Sequence, residues 1–261
     1  YISIEGDLRT HHKVIYSELD FKVGDILTPK KLEESTARLQ KTGLFANIEI
    51  KMKEADTPVE KRSVIVSLSE RKPGVLTTGV GITNENSYTL HGYAGIAYRN
   101  IGGWGRGLSL RADGNYNPTV VGFLESKVVV GFLEPYLFDT RARFRLNYTT
   151  SRTVTDYLIR QKTIANQAVW SIEQDFSSHI TGIWQIYSIA NYVDEGINRE
   201  DEIKYGYERN DLVIASVGPT LDIYYRDNIL NPISGHFSRI SVEYASTALG
   251  SHKTDDFVRA T

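Results

Sequence analysis

The dominant pattern in this chain is strict alternation of charged and apolar residues, which is clearest in the segment RARFRLN at positions 141–147. Arg141, Arg143 and Arg145 occupy odd positions, and apolar residues stand between them. Because successive side chains of a β-strand point to opposite faces, this pattern predicts a strand with one charged and one apolar face. Such strands occur in soluble antiparallel sheets and in the walls of membrane barrels with a hydrated interior.

From residue 75 onward the same alternation recurs without helical periodicity, and turn residues separate the alternating segments. The pattern predicts nine strands and the beginning of a tenth, at residues 75–83, 88–99, 107–116, 124–133, 141–149, 164–176, 180–192, 213–226, 236–245 and 256–261.

The connections between these strands alternate in length. Counted from the N-terminal side, the outer connections are residues 84–87, 117–122, 151–158 and 193–210, and the inner ones are 100–106, 134–140, 177–178 and 227–235. The longest connection lies on the outer side, which favours an outer-membrane barrel over a soluble sandwich.

The first 74 residues have a different pattern, which predicts a small β-α-α-β-β module. Its strands are expected at residues 1–5, 44–52 and 63–69, and its helices at 11–19 and 29–42. Thr10 and Thr28 are the predicted N-caps, and Gly43 stands where a left-handed residue ends the second helix. Leu32, Thr36 and Leu39 form the predicted buried stripe of that helix.

Composition narrows the possible chemistry. The net charge of −2 gives no general attraction to nucleic acid, and the absence of cysteine removes disulfides and thiolate metal sites. The glycine-rich segment 102–107 is followed by a strand rather than the helix that a phosphate loop requires, and the pair His11-His12 has no further ligand at a matching spacing. We therefore predict no catalytic residue, cofactor or metal site, no enzyme activity and no nucleic-acid partner.

The module carries three short motifs, I-x-G at residues 4–6, VGD at 23–25 and TGLF at 42–45. With its element order, these motifs resemble a POTRA domain. The strand region adds TGVG at 78–81, RNIGG at 99–103, EPYL at 134–137 and RDN-x-x-NP-x-SG at 226–235. Together the motifs resemble the Omp85 superfamily, nearest its BamA/TamA assembly branch.

The resemblance implies an α+β POTRA-like periplasmic domain at residues 1–72. An antiparallel transmembrane β-barrel is then expected at 73–261, truncated before closure. Barrels of this family have about sixteen strands, within the even-numbered range of bacterial barrels. The lumen-plugging loop and the closing strand are therefore expected beyond residue 261, and further POTRA modules upstream.

Three groups of residues are candidates for function. The glycine-rich first barrel strand offers an edge for pairing with a substrate strand, unless that edge is closed against the last barrel strand; its candidates are Val75, Thr77, Gly79, Gly81 and Thr83. The POTRA edge is a second candidate for accepting an extended peptide, through Ile48, Ile50 and Met52. Arg111, Arg141, Arg143 and Arg145 are predicted lumenal charges, which either line an ion pathway or pair with acidic residues such as Glu125 and Glu173.

The function that the resemblance implies is assembly and insertion of outer-membrane proteins, with the POTRA module in the periplasm. The alternatives are a two-partner secretion transporter, a passive porin-like channel, and an enzyme whose hydrolase domain precedes this segment. The expected partners are unfolded outer-membrane or secreted polypeptides, periplasmic chaperones or accessory subunits, and outer-membrane lipid. The sequence does not distinguish the BamA, TamA and secretion branches, and it does not identify the client proteins.

Overall fold

The computed structural model describes residues 1–53, 62–83, 88–118, 123–156, 161–177, 179–195, 211–226, 233–252 and 256–261. Its residues divide into two compact units. The first unit contains Tyr1–Val75 and Ala97–Leu108, and the second contains Leu76–Ile96 and Ser109–Thr261. Several predicted connections lie wholly or partly outside the described residues, namely 84–87, 117–122, 151–158, 177–178, 193–210 and 227–235, together with part of the motif at 226–235.

The N-terminal module has the predicted β-α-α-β-β order. Its elements are β1 (Ile2–Glu5), α1 (His12–Glu18), α2 (Pro29–Thr42), β2 (Phe45–Met52) and β3 (Val64–Glu70). The strands form a sheet in the order β1-β3-β2, in which β3 is parallel to β1 and antiparallel to β2. Ile15, Leu39 and Val66 are fully buried, so the core lies between the helices and the central strand. Neither described helix has the length and apolarity needed to span a membrane.

Local signals account for the second helix. The Thr28 side chain accepts a hydrogen bond from the Lys31 backbone N–H, Pro29 occupies the first turn, and Gly43 ends the helix at φ 69°. Its fully buried residues are Ser35 and Leu39, whereas Leu32 and Thr36 are half-buried. The buried stripe therefore differs from the predicted one. The Ser35 hydroxyl can be buried because it donates to the Lys31 carbonyl and accepts from the Asp20 N–H.

The first helix differs from the prediction. His11, not Thr10, is its N-cap, and no side chain caps this helix. Thr10 is buried because its hydroxyl is bonded to the Glu70 carboxylate, a residue that is distant in sequence. A long-range partner has therefore replaced the local cap that the sequence pattern predicts.

The remainder of the described chain forms a ten-stranded sheet in sequential order. Its strands are β4 (Gly74–Thr83), β5 (Thr89–Ile101), β6 (Arg106–Asn117), β7 (Phe123–Glu134), β8 (Arg143–Asp156), β9 (Gln161–Asp175), β10 (Ile180–Glu195), β11 (Leu212–Arg226), β12 (Gly235–Ala245) and β13 (Phe257–Ala260). Consecutive strands from β7 to β13 pair in antiparallel fashion. The sheet is open in the described chain, with β4 and β13 at its edges. This confirms the predicted unclosed antiparallel architecture.

The two faces of this sheet have unusual environments. On the polar face, Ser216 and Asp222 are each 2% exposed. On the apolar face, Leu110, Trp184 and Ile240 are 46%, 49% and 55% exposed. A water-soluble sheet shields its apolar face, whereas here the polar face is the better shielded one. This distribution suits a sheet whose apolar side meets hydrocarbon.

A bulge in β10 changes which residues lie on each face. Gln185 pairs with Ser171, but Tyr187 pairs with Trp170, so Ile186 is an additional residue on its strand. Such an insertion reverses the alternation beyond it. Ala190 therefore lies opposite Gln167 on the polar face and is buried, although simple alternation predicts it on the apolar face.

Candidate functional site

The β4 edge is the first candidate. Strand β4 has one described neighbour, β5, and its other side has no partner within the described chain. Its outward side chains are strongly exposed, at 75% for Leu76, 94% for Val80 and 70% for Ile82. An edge of this length with unpaired backbone groups is a template for another strand.

At Gly79, the ring of Tyr93 packs directly over strand β4. A Cβ atom at Gly79 would lie 2.4 Å from the Tyr93 ring on β5, so the ring occupies the space that a side chain would need. The Arg111 guanidinium lies over the same ring, 4.6 Å from its centroid. Gly79, Tyr93 and Arg111 thus form a stack across β4, β5 and β6, in which an aromatic ring covers a strand glycine.

The other predicted β4 residues lie on the same face as Gly79. The Thr77 hydroxyl donates to the Gly95 carbonyl at 3.4 Å, and Thr83 is hydrogen-bonded to the His91 ring. Gly81 has space for a side chain, because the nearest atom to an added Cβ would be a His91 ring carbon at 3.9 Å. Val75 is 37% exposed. The five predicted residues therefore share a face, but an incoming strand would pair with backbone groups rather than with these side chains.

The POTRA edge strand β2 is the second candidate. Ile48, Ile50 and Met52 stand opposite Leu68, Val66 and Val64 of β3 and are half-buried on the core face. Their side chains therefore serve the module's own core, and only the outer backbone edge of β2 is available for an added strand. Glu49 and Lys51 form an exposed ion pair at 2.6 Å on the opposite face.

Ion pairs on the polar face of the sheet involve the predicted lumenal charges Arg111, Arg143 and Arg145. Arg143 contacts Glu173 and Asp175, each at 2.8 Å, and Arg145 contacts Glu173 at 2.8 Å. Arg111 pairs with Asp113 at 2.7 Å. Of the two suggested acidic partners, Glu173 takes part, whereas Glu125 accepts a hydrogen bond from the Val154 backbone N–H at 3.0 Å.

Arg141 lies outside strand β8. Strand β8 begins at Arg143, and Arg141 is an exposed residue in the connection that precedes it. The side-chain alternation extends two residues further in the sequence than the strand does in the structure. The 3₁₀ turn Leu137–Asp139 accounts for the difference, because the Leu137 N–H donates to the Ala142 carbonyl and closes the turn immediately before β8.

Sequence reasoning missed two further polar clusters. Asp222 is bonded to Arg239 at 2.6 Å and also accepts from the Tyr224 hydroxyl. The second cluster crosses four strands, linking Gln185, Ser216, Glu243 and Arg259 through hydrogen bonds and one ion pair. Opposite charges on the polar positions of consecutive predicted strands are the signal that would have found the ion pairs.

A junction in the first unit joins the POTRA-like segment to the turn after β5. Glu70 Oε1 accepts hydrogen bonds from the backbone N–H groups of Arg9 and Thr10 and from the Thr10 hydroxyl. The Thr10 hydroxyl accepts from the Asn100 side chain at 2.8 Å, and the Asn100 oxygen accepts from the Gly105 N–H at 2.8 Å.

Close backbone packing completes this junction. The His11 N–H donates to the Gly103 carbonyl at 2.9 Å, and the His11 and Trp104 ring centroids are 4.3 Å apart. A Cβ atom at Gly103 would lie 2.4 Å from the Arg9 carbonyl oxygen, and φ at Gly103 is +80°, so glycine is required there. The second glycine of the motif RNIGG is thus explained by this contact.

The segment after β12 folds back along β11. Ser251 exchanges two hydrogen bonds with the Ala215 backbone, and His252 bridges to Val213. The Asp256 carboxylate accepts bonds from the Thr247 backbone N–H and from the Ser246 and Thr247 hydroxyls. These bonds, led by the Thr247 N–H, lower the pKa of Asp256 below its ordinary value.

Comparison with known families decides the classification. A model described as the Omp85 superfamily domain matches residues 102–260, and a POTRA model, described as surface antigen variable number repeat, matches residues 1–71. The first match alone covers more than half of the 261 residues. The chain belongs to the Omp85 superfamily.

A curated relative is the outer membrane protein assembly factor BamA of Nitratidesulfovibrio vulgaris. The identity is 28% over 137 residues, which is 51% of this chain and 17% of the relative. The chain thus matches a small part of the length of this BamA.

Solved structures of this superfamily share the fold. BamA from Haemophilus ducreyi lacking POTRA domains 1–3 superposes with a TM-score of 0.65 at 17% identity, over 96% of this chain and 48% of that structure. CdiB from Acinetobacter baumannii superposes with a TM-score of 0.58 at 16% identity, over 94% of this chain and 44% of that structure. CdiB from Escherichia coli superposes with a TM-score of 0.57 at 10% identity, over 99% of this chain and 48% of that structure. The predicted superfamily and fold are confirmed.

Proposed function

We propose that this chain belongs to an outer-membrane protein insertion factor whose β4 edge pairs with strands of an incoming barrel. The POTRA-like domain, taken as residues 1–72, would lie in the periplasm, and the strand region, 73–261, in the outer membrane. The observation that carries the proposal is the exposed, glycine-containing edge strand on a sheet whose apolar face is open. Backbone groups that enter hydrocarbon need partners, and an edge strand supplies them before the client's own barrel closes.

This mechanism requires no covalent chemistry. The β4 backbone would donate and accept hydrogen bonds, and the polar-face ion pairs would keep the neighbouring wall rigid. Unfolded outer-membrane polypeptides would be the clients, with periplasmic chaperones or accessory subunits delivering them. The backbone edge of β2 would accept an extended client segment before it reaches β4.

A single-cysteine experiment tests the β4 edge. These 261 residues contain no cysteine, so Val80→Cys on the exposed edge strand provides the one thiol within this segment. Leu110→Cys on β6 is the matched control, because it also lies on the apolar face but its strand has neighbours on both sides. In cells of the host bacterium, we expect disulfide crosslinks between Val80→Cys and cysteines in the terminal strand of a client barrel.

The control is expected to give no client crosslink. Equal crosslinking at both positions, or none at Val80→Cys while clients are being assembled, would refute strand templating at β4.

A polypeptide secretion transporter is the second candidate, and one observation favours it. The polar face holds a cavity of about 400 Å³ with a mixed-charge, hydroxyl-rich lining that includes Asp113, Lys127 and Thr149. Such a wall suits an extended polypeptide in transit. Ser151→Cys, which lies in this cavity, should then crosslink at many positions along an exported chain, whereas an insertion factor should show crosslinks concentrated at β4.

A further inference from the structure

A small cavity lies in the first unit where four segments of the chain meet. These segments are Arg9, residues 43–44 after α2, residues 70–73 from the end of β3 to the start of β4, and residues 98–100 near the end of β5. The lining residues that matter for its charge are Arg9, Glu70, Arg71, Lys72 and Arg99. All of them belong to the same compact unit.

The cavity carries a marked excess of positive charge. Four cationic side chains and one carboxylate contribute +4 and −1, which leaves +3. The carboxylate, Glu70, already accepts three hydrogen bonds from Arg9 and Thr10 through its Oε1 atom. Like charges held close together destabilise a fold unless an anion offsets them.

The cations differ in their present partners. Arg71 donates from Nε to the Phe45 carbonyl at 2.9 Å, so part of this side chain supports the module. In the described part of the chain, no hydrogen bond or ion pair occupies the side chains of Arg9, Lys72 or Arg99. An Arg99 guanidinium nitrogen lies 3.5 Å from the position of a Cβ on Gly43, at the C-terminal end of α2.

The cavity also has an apolar border. Leu44 and Pro73 line it, and so does Tyr98, which is 45% exposed on the apolar side of β5. A tyrosine beside cationic side chains at the end of a membrane strand matches the boundary between headgroups and acyl chains. The lining therefore combines donors for an anion with a surface for the start of a hydrocarbon chain.

We propose that the opening of this cavity binds the phosphate of an anionic phospholipid, with Arg9, Lys72 and Arg99 as the principal donors. The enclosed space of about 20 Å³ suits a single water molecule, so the phosphate would lie against the cationic side chains at the opening. Guanidinium groups bind phosphate oxygens through charge-assisted, frequently bidentate hydrogen bonds, and lysine adds a point charge. The lipid source of the phosphate rests on the proposed outer-membrane location. Binding there would fix the first unit to the periplasmic leaflet, independently of strand pairing at β4.

The test uses the full-length protein in an uncharged detergent, titrated with dihexanoyl phosphatidylglycerol and, separately, with inorganic phosphate. Isothermal calorimetry gives the dissociation constants. For phosphatidylglycerol, we expect Arg99→Gln to weaken binding by about tenfold and the triple change of Arg9, Lys72 and Arg99 to glutamine by more. Arg99→Lys should fall between these and the wild type, because it retains the charge without the planar fork.

Lys30→Gln is the matched control, because Lys30 is an exposed lysine of the same unit that lies outside the cavity. It should leave binding unchanged. Arg71 is kept in every variant since its bond to Phe45 stabilises the module. Undiminished phosphatidylglycerol binding by the triple variant, or binding of inorganic phosphate without tighter binding of the lipid, would overturn the inference. The Val80→Cys crosslink reports on strand templating separately, so the two proposals fail independently.

Discussion

The N-terminal module and the ten-stranded sheet both separate polar from apolar residues onto opposite faces, but they shield opposite faces. In the module, Ile15, Leu39 and Val66 are buried, as in a water-soluble domain. In the sheet, Ser216 and Asp222 are buried, while Ile240 and Trp184 are exposed. In each region the periodic pattern therefore defines two faces, and the surroundings decide which one is shielded. This contrast separates a fold that buries its apolar residues from a sheet that exposes them.

The largest expected effect tests the core of the module against the apolar face of the sheet. Leu39→Ala removes a fully buried side chain and should destabilise the module by about 2–5 kcal/mol, through lost burial and a cavity. Ile240→Ala, on an exposed site, should change stability by only ~0.5 kcal/mol. Urea unfolding in detergent, followed by hydrogen exchange of each region, measures both. Equal losses would contradict the contrast between the two regions.

Arginine substitutions on the two faces of one strand test the same difference between the faces. In lipid vesicles, Ile240→Arg should cost about 2–4 kcal/mol if the site lies near the middle of the bilayer. Ser241→Arg, one residue further on the opposite face of β12, should cost much less. Chemical denaturation of vesicle-folded protein gives the difference. If Ser241→Arg proves the more damaging change, the two faces of the sheet have been assigned in reverse.

The next effect concerns the shielded polar face. Glu173→Gln removes the carboxylate that joins Arg143 and Arg145 and should cost about 1–3 kcal/mol, because Arg143 is largely buried. Asp113→Asn breaks the more exposed Arg111 pair and should cost clearly less, because solvent screens that pair. Denaturant midpoints in detergent compare the two variants. A larger loss for Asp113→Asn would show that burial does not govern these pairs.

The smallest expected effect is a local dependence on pH. The pKa of Asp256 is lowered in the folded protein by its bonds to Thr247 and Ser246. Its contribution is therefore present above the unfolded pKa of about 3.9 and is lost as pH falls through the lower folded value. The Thr247 amide should lose protection from hydrogen exchange below about pH 4.

Asp256→Asn should abolish that pH dependence, while Asp25→Asn in the module should leave it unchanged. Protection of the Thr247 amide that falls with pH to the same extent in Asp256→Asn would exclude this carboxylate as its cause.

Much of the fold follows from local sequence. Period-two alternation predicts the strands of the sheet, and Thr28, Pro29 and Gly43 predict both ends of α2. These signals are readable because each depends on residues within a few positions of one another. The superfamily itself is indicated by short motifs, such as TGLF and RNIGG, in the correct order along the chain.

The candidate sites were harder to predict from the sequence. Threonine is a residue type that commonly caps helices. The Thr10 hydroxyl is instead hydrogen-bonded to Glu70 and Asn100, which are 60 and 90 residues away. Arg141 continues the charged alternation, yet a turn excludes it from β8. In both cases the local sequence pattern is the same whether or not the residue takes the predicted role, so the pattern alone does not reveal the difference.

By itself, the sequence determined the order of elements, the two-faced strands and the family, because periodicity and caps are local properties. Only the tertiary structure decided that the polar face is the shielded one, that Ile186 reverses the alternation in β10, and that four cations meet around one cavity. Those features depend on contacts between residues far apart in the chain, and their partners are selected by packing and by the geometry of the sheet.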